Sequence, residues 1–331
     1  MLRGRVTLTQ VAEAAGVSVG TASKALNGRG QLSPATRKRV RDAARALGFD
    51  QGTSESLTGG RSLIVGVLST DSYGRFTIPI LTGAEDTFGA GEIAMLLAES
   101  RGDPIRERHY VQTLRSRKVD GIIVTGRSSD ARASLTSLID VPTVYALSPS
   151  TDPNDISVVP DDAGGATRAV EHLVSTGRSS IAVVVGPSRH LASAHRVAGA
   201  LAALEGSGAR LAGGQALYGE WSERWGYEAA GRLLAAGPFD GVFCASDQIA
   251  RGVLECLRDH SVSVPAQVGV VGMDNWTVIA EAARPSITSV DLNLRAVGRR
   301  AAELLVRTIM GDDVPGGIEY VDCSLVARQS A

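Results

Sequence analysis

The chain has 331 residues, of which 44% are hydrophobic, and its 34 lysines and arginines nearly balance its 35 acidic residues. This length accommodates a small domain and one or two larger ones, and the hydrophobic content is sufficient for buried cores. We expect a cytoplasmic protein, because no apolar run approaches the length of a membrane span or a signal peptide. The three scattered cysteines favour buried thiols in a reducing compartment over a disulfide framework.

Residues 6–27 read VTLTQVAEAAGVSVGTASKALN and predict two short helices joined by a tight turn. Thr7 fits a capping box at the start of the first helix, and Gly16 supplies the left-handed residue that ends it. Ser18 can cap the second helix, which runs from about residue 19 to 27. Its outer face consists of small and polar residues, which suit contact with base edges and phosphates in a DNA groove.

A third helix is predicted over residues 34–47, with Ser33 as its cap. Its apolar stripe consists of Val40, Ala43, Ala44 and Leu47, and its basic face of Arg37, Lys38, Arg39, Arg41 and Arg45. Residues 1–48 hold nine lysines and arginines against two acids, a net charge of +7, so the remaining chain carries −8. A basic head on an acidic body predicts salt-dependent attraction of the head to nucleic acid.

The amino-terminal segment resembles the DNA-binding domain of the lactose-repressor (LacI/GalR) family of bacterial transcription regulators. The matching residues are Val6-Thr7-Leu8, Val11-Ala12, Ala15-Gly16-Val17-Ser18, Thr21, Ser23-Lys24, Leu26-Asn27, Ser33 and Thr36-Arg37. The resemblance implies a domain that binds operator DNA as a dimer, with Val19, Gly20 and Lys24 at the main base-reading positions. It places Thr7, Ser18, Thr21, Ser23 and Asn27 at positions that mostly contact the DNA backbone.

Residues 50–60, DQGTSESLTGG, are small and polar and predict a linker. In the resembling family this segment is a hinge helix that orders on DNA, where a leucine wedges into the minor groove. Leu57 is the only candidate for that wedge. The usual proline is missing from the hinge start, and Glu55 stands where Arg or Gln is more usual, so a flexible tether remains the alternative.

Strands and helices alternate from residue 61 onward, which predicts parallel sheets with right-handed crossovers. The predicted strands cover residues 63–68, 93–97, 121–125, 141–145, 156–159, 181–185, 215–218, 242–245, 268–272 and 318–321. The predicted helices cover residues 79–89, 104–117, 130–138, 163–176, 193–205, 222–236, 248–260 and 294–310. VDGIIVTG at residues 119–126 echoes FDGVFCAS at residues 239–246, which indicates two similar lobes.

The resemblance implies a small all-α helix-turn-helix head followed by an α/β two-lobed core shaped like periplasmic sugar-binding proteins, with parallel sheets flanked by helices. The expected parts are a DNA-binding domain at residues 1–49, a hinge at 50–60 and an effector-binding and dimerisation core at 61–331. Lobe one would comprise residues 61–161 and 291–320, and lobe two residues 162–290 and 321–331. The chain would cross between the lobes near residues 160–163, 290–292 and 320–323.

Ligands of such folds bind between the lobes, at the carboxyl ends of the strands. The candidate effector-binding residues there are Ser69, Asp71, Arg75, Phe76, Arg196, Trp221, Ser246, Asp247 and Asp274. Arginine, carboxylates and an aromatic plate are typical of sugar recognition, because they match hydroxyl groups and C–H faces. Local roles remain open: Asp247 can cap a helix, Asp274 can serve a turn, and Trp221 can belong to the core.

No sequence motif supports an enzymatic function: the chain contains no Walker loop, no nucleotide-binding glycine motif and no catalytic zinc motif. The five histidines show no metal-ligand spacing, and we predict neither metal nor cofactor. We expect a homodimeric DNA-binding transcriptional repressor controlled by a small effector, a sugar or sugar derivative. The alternatives are a sugar-binding sensor without specific DNA binding and a sugar-processing enzyme on the same core.

Overall fold

A computed structural model describes residues 8–26, 33–47, 63–89 and 93–331. The chain divides into two compact units, residues 1–62 and residues 63–331, which we call the head and the core. Several predicted features lie outside the described residues: Thr7, Asn27, Leu57 and the linker at residues 50–60. Within the described residues, no helix has both the length and the apolar character needed to cross a membrane.

The head contains the three predicted helices, α1 (Leu8–Ala15), α2 (Val19–Leu26) and α3 (Pro34–Leu47). Gly16 has a φ of +61° and ends α1 in the left-handed conformation, as predicted. The Ser18 hydroxyl accepts the Thr21 N–H at 3.1 Å, and the Ser33 hydroxyl accepts the Thr36 N–H at 3.1 Å. Both predicted serine caps are therefore confirmed.

The core of the head is built from small side chains, which lets three short helices approach closely. Its buried members are Val11, Ala12, Ala15, Ala22, Ala25, Val40 and Ala44. Leu47 was predicted to join the apolar stripe of α3, but it is 40% exposed, so that prediction was wrong. It is the last residue of its helix and lies beyond the small cluster that α1 and α2 cover.

The first part of the core forms lobe one. Its elements are β1 (Leu63–Ser69), α4 (Thr77–Phe88), β2 (Ile93–Glu99), α5 (Pro104–Ser116), β3 (Gly121–Thr125), β4 (Thr143–Ala146) and β5 (Ile156–Pro160). The first, third and fourth strands are buried almost throughout, because helices cover both faces of a parallel sheet. Their continuous apolar sequences made these strands predictable.

Lobe two follows. Its elements are α6 (Asp162–Ser175), β6 (Ser180–Val185), α7 (Leu191–Leu204), β7 (Arg210–Leu211), β8 (Leu217–Tyr218), α8 (Glu223–Ala236), β9 (Gly241–Cys244), α9 (Asp247–Asp259), β10 (Gly269–Asp274), α10 (Thr277–Ala280) and β11 (Thr288–Asp291). The chain then adds α11 (Leu294–Ile309) and β12 (Gly317–Val321) to lobe one, and β13 (Ser324–Val326) to lobe two. The sequence had not predicted β7, α10, β11 or β13.

Each lobe is organised around one sheet. Lobe one has the strand order β12-β5-β4-β3-β1-β2, and all its described pairings are parallel. Lobe two has the order β13-β11-β10-β9-β6-β7, with β8 also pairing β6, and only β13 runs antiparallel to its neighbour. In lobe one, α11 packs closely on α4, where a Cβ on Gly298 would lie 1.9 Å from the Ile80 carbonyl oxygen. Glycine is required at that crossing.

Three connections join the lobes, from β5 to α6, from β11 to α11 and from β12 to β13. The Asp161 N–H donates to the Val321 carbonyl at 2.9 Å, and the Cys323 thiol donates to the Asp161 carbonyl at 3.3 Å, so two connections hold each other. All three cysteines are free and buried, in agreement with the sequence. This arrangement brings the carboxyl ends of strands from both sheets to one cleft.

The helix predicted at residues 130–138 is absent, and that prediction was wrong. Backbone N–H groups of this segment donate to tertiary partners instead of to a helix. The Leu135 N–H donates to the Tyr145 hydroxyl at 2.7 Å, and the Arg132 N–H donates to the Pro149 carbonyl at 2.8 Å. These contacts hold the segment in an irregular conformation along the edge of the cleft.

Candidate effector site

A cavity of about 180 Å³ lies between the lobes of the core. Lobe one contributes Arg75, Phe76, Arg127, Ser128, Ser129 and Leu147 to its lining. Lobe two contributes His190, Ala192, Arg196, Trp221, Ser246, Gln248 and Asp274, and Leu292 lies at a lobe connection. Most of these residues follow the carboxyl end of a strand, which is where ligands of open α/β sheets bind.

The lobe-two wall is organised around Arg196 on α7, which is only 4% exposed. Its Nη2 lies 2.7 Å from Oδ1 of Asp162, its Nη1 lies 3.3 Å from Oδ1 of Asp274, and it also donates to the Ala245 carbonyl. Burial disfavours the charge, but Asp162 and Asp274 raise the pKa of Arg196 above its usual value. The arginine is therefore a fixed cation, with the Trp221 ring centroid 5.7 Å from its guanidinium carbon.

Arg75 extends from the loop after β1 and bridges the two lobes. Its Nη2 pairs with Oδ2 of Asp274, and its Nη1 donates to Oε1 of Gln248 at 3.2 Å. The guanidinium carbon lies 4.8 Å from the ring centroid of Phe76 and 4.4 Å from that of Trp276. Asp274 is thus shared by two arginines, one from each lobe.

Ser69 and Asp71 do not line the cavity, although the sequence placed them there. The Ser69 hydroxyl lies 2.8 Å from the Thr77 hydroxyl and accepts the Asp71 N–H at 2.9 Å. The Asp71 carboxylate accepts the N–H groups of Phe76 and Thr77 at 2.7 and 3.0 Å. Both residues are buried and fix the loop that presents Arg75.

Asp247 also lies behind the cavity wall. It is fully buried and accepts the Trp276 N–H and the Ser289 hydroxyl, each at 2.6 Å. Burial, followed by the negative charge of Asp274, raises its pKa to about 7. The alternative that Asp247 caps the following helix was wrong, because Ser246 is the cap and accepts the Ile249 N–H at 3.3 Å.

A second interlobe contact closes the other side of the cavity. Asp130, in the loop after β3, accepts the Leu191 N–H at 2.9 Å, and its Oδ2 lies 2.6 Å from Nδ1 of His190. Burial opposes ionisation of Asp130, but these contacts and the Ser128 hydroxyl lower its pKa overall. Lobe one is therefore tied directly to the start of α7.

The cavity includes residues that the sequence reasoning missed, namely Arg127, Ser128, Ser129, His190 and Gln248. A usable signal was present for three of them, because GRSSD at residues 126–130 directly follows the correctly predicted strand at residues 121–125. His190 lines the cavity, whereas His195, which adjoins Arg196, is exposed and does not line it.

In the head, the predicted DNA contacts cluster at the start of α2. Ser18, Val19 and Gly20 are exposed, and Val19 is 43% exposed although it is apolar. Thr21 is half-buried, and its hydroxyl lies 2.9 Å from that of Ser18. Ala22 and Ala25 face the core of the head, so α2 presents its amino-terminal end to solvent, and Ser23 and Lys24 lie in the same helix.

Comparison with known families gives matches in both units. Residues 7–51 match the model of bacterial regulatory proteins of the lacI family, and residues 170–331 match the periplasmic binding protein-like domain. The transcriptional regulator CelR of Thermobifida fusca is 33% identical over 340 residues, which cover 99% of both chains. Catabolite control protein A of Priestia megaterium is 29% identical over 332 residues, covering 98% of this chain and 99% of its own.

Solved structures give the same result for the fold. A CelR–cellobiose complex has a TM-score of 0.68 at 30% identity, covering 99% of this chain and 100% of its own. A lac repressor dimer bound to operator and the anti-inducer ONPF has a TM-score of 0.65 at 25% identity, covering 98% of each chain. The helix-turn-helix head, the two-lobed core and these full-length relatives together show that the chain belongs to the lacI family of bacterial regulatory proteins, which are DNA-binding transcriptional regulators and not enzymes.

Proposed function

We propose that this regulator represses transcription as a cytoplasmic homodimer on operator DNA, and that a sugar or sugar derivative in the interlobe cavity controls it. The observation that carries the proposal is the convergence of Arg196, Asp274 and Trp221 on one cavity between the lobes. The charged groups offer hydrogen bonds to hydroxyl and ring oxygens, and the indole face can pack on C–H groups.

The size of the cavity supports a small effector. Its volume of about 180 Å³ is below the range of roughly 300–1,000 Å³ that is typical for drug-sized ligands. Ser246 and Gln248 add polar side chains to the wall, and the half-buried Trp221 provides an aromatic surface. Cellobiose in the related CelR structure and the operator-bound dimer of the lac repressor support a sugar effector and a dimer on DNA.

For the DNA side, we propose that the start of α2 enters the major groove. Val19, Gly20 and Lys24 would read bases, although Gly20 offers no side chain and Lys24 lacks the planar fork of arginine. Thr7, Ser18, Thr21, Ser23 and Asn27 would contact the DNA backbone, and Leu57 would wedge into the minor groove. The exposure of Ser18, Val19 and Gly20 supports this role, because none of these residues is needed for the core of the head.

Control would follow from the position of the cavity. An effector that contacts both lobes favours the lobe arrangement in which those contacts form. If the two arrangements differ in operator affinity, binding of the effector changes the affinity of the protein for its operator. Arg75–Asp274 and Asp130–His190 already connect the lobes on two sides of the cavity. The effector would bind between lobes that the protein's own contacts already connect.

The test measures binding of the full chain to DNA from upstream of its own gene by fluorescence anisotropy, with and without a panel of neutral sugars. We expect one sugar to change operator affinity about tenfold or more. Trp221→Ala should require about tenfold more of that sugar for the same response, while it binds operator like the parent without sugar. Tyr227→Ala, which removes an aromatic side chain outside the cavity, is the matched control.

Two outcomes would contradict the proposal. If no sugar changes operator affinity, or if Trp221→Ala responds like the parent, the cavity is not a sugar-effector site. Sugar binding together with equal affinity for operator and unrelated DNA would instead favour the sensor without specific DNA binding.

A further inference from the structure

We infer that the effector is a deoxy sugar, and that Leu147 contacts the carbon that lacks its hydroxyl group. The inference rests on the proposed function and deepens it, because it names the class of sugar that the same cavity takes. It comes from the end of β4, where the backbone adopts a rare turn at the cavity wall. We call residues 146–148 the β4 turn.

The β4 turn is a γ-turn with a left-handed residue, Leu147, at its centre. The Ser148 N–H donates to the Ala146 carbonyl at 3.0 Å, two residues back, and Leu147 has a φ of +72°. A γ-turn with a positive φ is rare and strained, and a bulky side chain makes the conformation a clear outlier. Such strain persists only where surrounding contacts hold it, and it concentrates at binding sites.

The turn changes the side of the sheet on which Leu147 lies. Side chains alternate along β4, so Val144 and Ala146 belong to the apolar cluster on one face and Tyr145 to the cluster on the other. Continued alternation would place Leu147 with Tyr145, but it belongs to the cluster of Val144 and Ala146. That cluster includes Leu292 at a lobe connection, and Leu147 and Leu292 both line the cavity. The strained turn therefore places an aliphatic side chain where the two lobes meet.

The hydrogen-bond donors of Leu147 and Ser148 are taken by the protein. The Leu147 N–H donates to the Val158 carbonyl at 2.9 Å, and the Ser148 N–H closes the turn. The Ser148 hydroxyl donates to the Ser128 carbonyl, and the next residue, Pro149, has no N–H. These contacts hold the strained backbone in place. They also leave the aliphatic side chain of Leu147 as the group that this turn presents to a ligand.

The remainder of the lining can bind hydroxyl groups, which limits the apolar contact to one part of the sugar. Arg196 and Asp274 on lobe two and Ser129 on lobe one are polar lining residues. A hydroxyl group facing Leu147 would lose its hydrogen bonds to water and gain no donor from residues 147 and 148. A methyl or methylene group at that point would instead bury apolar surface. The position beside Leu147 therefore favours a deoxy carbon.

The experiment uses titration calorimetry on the full chain with matched pairs of sugars. Each neutral sugar of the operator-binding panel is compared with its monodeoxy analogues, for example glucose with 2-deoxyglucose and 6-deoxyglucose, and galactose with 6-deoxygalactose. Leu147→Asn adds a donor and an acceptor at the same point, and asparagine tolerates a positive φ. Leu147→Gly removes the aliphatic surface without backbone strain. Leu138→Asn, at an exposed leucine of the same lobe outside the cavity, is the control.

We expect at least one deoxy sugar to bind about ten- to a hundredfold more tightly than its hydroxylated partner, which is the discrimination that an apolar contact gives against a hydroxyl group. Leu147→Asn and Leu147→Gly should each remove most of that preference, and Leu147→Asn should improve binding of the hydroxylated partner. Leu138→Asn should leave both affinities within about twofold of the parent. The pair that shows the preference identifies the carbon that faces Leu147.

The parent protein alone can overturn the inference, whether or not the variants fold. Hydroxylated sugars that bind as tightly as their deoxy analogues in every pair would do so, as would a deoxy preference that survives both substitutions of Leu147. In those cases the sugar-effector proposal still stands if hydroxylated sugars bind and Trp221→Ala weakens them. If no sugar of either kind binds, the sugar-effector proposal itself is wrong, and the deoxy sugar is rejected with it.

Discussion

The two walls of the interlobe cavity use their charged side chains differently. On the lobe-two wall, Arg196 and Asp162 are buried and Asp274 is half-buried, and both carboxylates pair with Arg196. On the lobe-one wall, Arg127 is exposed and Ser129 is half-buried, and both lack a partner among the described residues. Removing one partner of a buried pair leaves the other charge uncompensated and destabilises the core, whereas an exposed arginine is solvated without a partner. The comparison indicates that the paired charges of the lobe-two wall contribute to the stability of the core as well as lining the cavity.

The largest effect that would test this comparison comes from Arg196→Met. The substitution leaves the buried Asp162 carboxylate without its partner, and breaking a buried pair on one side costs about 3–5 kcal/mol. We expect a decrease of that size in the free energy of unfolding, measured by urea titration. Arg106→Met, at an exposed position of the core, should stay within about 0.5 kcal/mol of the parent. A loss below about 1 kcal/mol for Arg196→Met would mean that the lobe-two network is not structural.

The next effect is a pH dependence that arises on the lobe-two wall. Burial and the charge of Asp274 raise the pKa of Asp247 to about 7, whereas an unfolded aspartate titrates near 3.9. The folded protein therefore holds this proton more tightly, so the contribution of Asp247 to stability is complete below about pH 4 and is lost as pH rises through about 7. Asp247→Asn removes the titrating group. The free energy of unfolding of this variant should therefore fall less steeply between those pH values than that of the parent.

The measurement is the free energy of unfolding from urea titrations at intervals between pH 4 and 8. The difference between parent and Asp247→Asn should change across that range by an amount on the order of a few kcal/mol. Asp259→Asn, at the exposed end of the same helix, is the control and should run parallel to the parent. Parallel curves for Asp247→Asn would show that Asp247 titrates normally.

The fold was predictable where the sequence carries a continuous signal. The runs at β1 and β3 are apolar because both faces of their sheet are covered, and the strands were found nearly at their observed bounds. The helix predicted at residues 130–138 is absent because tertiary contacts hold the backbone donors of that segment. The Tyr145 hydroxyl that accepts the Leu135 N–H lies on β4, and the local spacing of residues 130–138 contains no information about that contact.

The candidate site was predictable in part, for a related reason. The rule that ligands meet the carboxyl ends of strands, together with family resemblance, selected Arg75, Arg196, Trp221 and Asp274, all of which line the cavity. The same rule selected Asp247, which instead serves a buried hydrogen-bond network. A position at the end of a strand predicts that a side chain lies near the cleft. Only the tertiary contacts determine whether that side chain faces the cavity or binds other protein groups. All the predicted effector contacts remain predictions until a ligand is measured.

The smallest expected effect lies where the two walls meet, at Asp130. Its carboxylate accepts the Leu191 N–H at 2.9 Å and contacts His190, so Asp130→Ala removes one link between the lobes without touching Arg75 or Arg196. The loss of such a hydrogen bond costs about 1–2 kcal/mol, which corresponds to roughly five- to thirtyfold faster exchange of the Leu191 amide hydrogen. Hydrogen exchange followed by mass spectrometry would measure this in peptides covering the start of α7.

Asp152→Ala is the matched control for that experiment, because Asp152 is a loop aspartate of lobe one that accepts only from Asn154 and its own turn. Its exchange at α7 should equal that of the parent. Because the pKa of Asp130 is lowered, its contact with the start of α7 should persist at pH values above the usual carboxyl range. The contact should be lost only when the pH falls through the lowered pKa. If Asp130→Ala leaves exchange at α7 unchanged, the walls are joined through Arg75 and Asp274 alone.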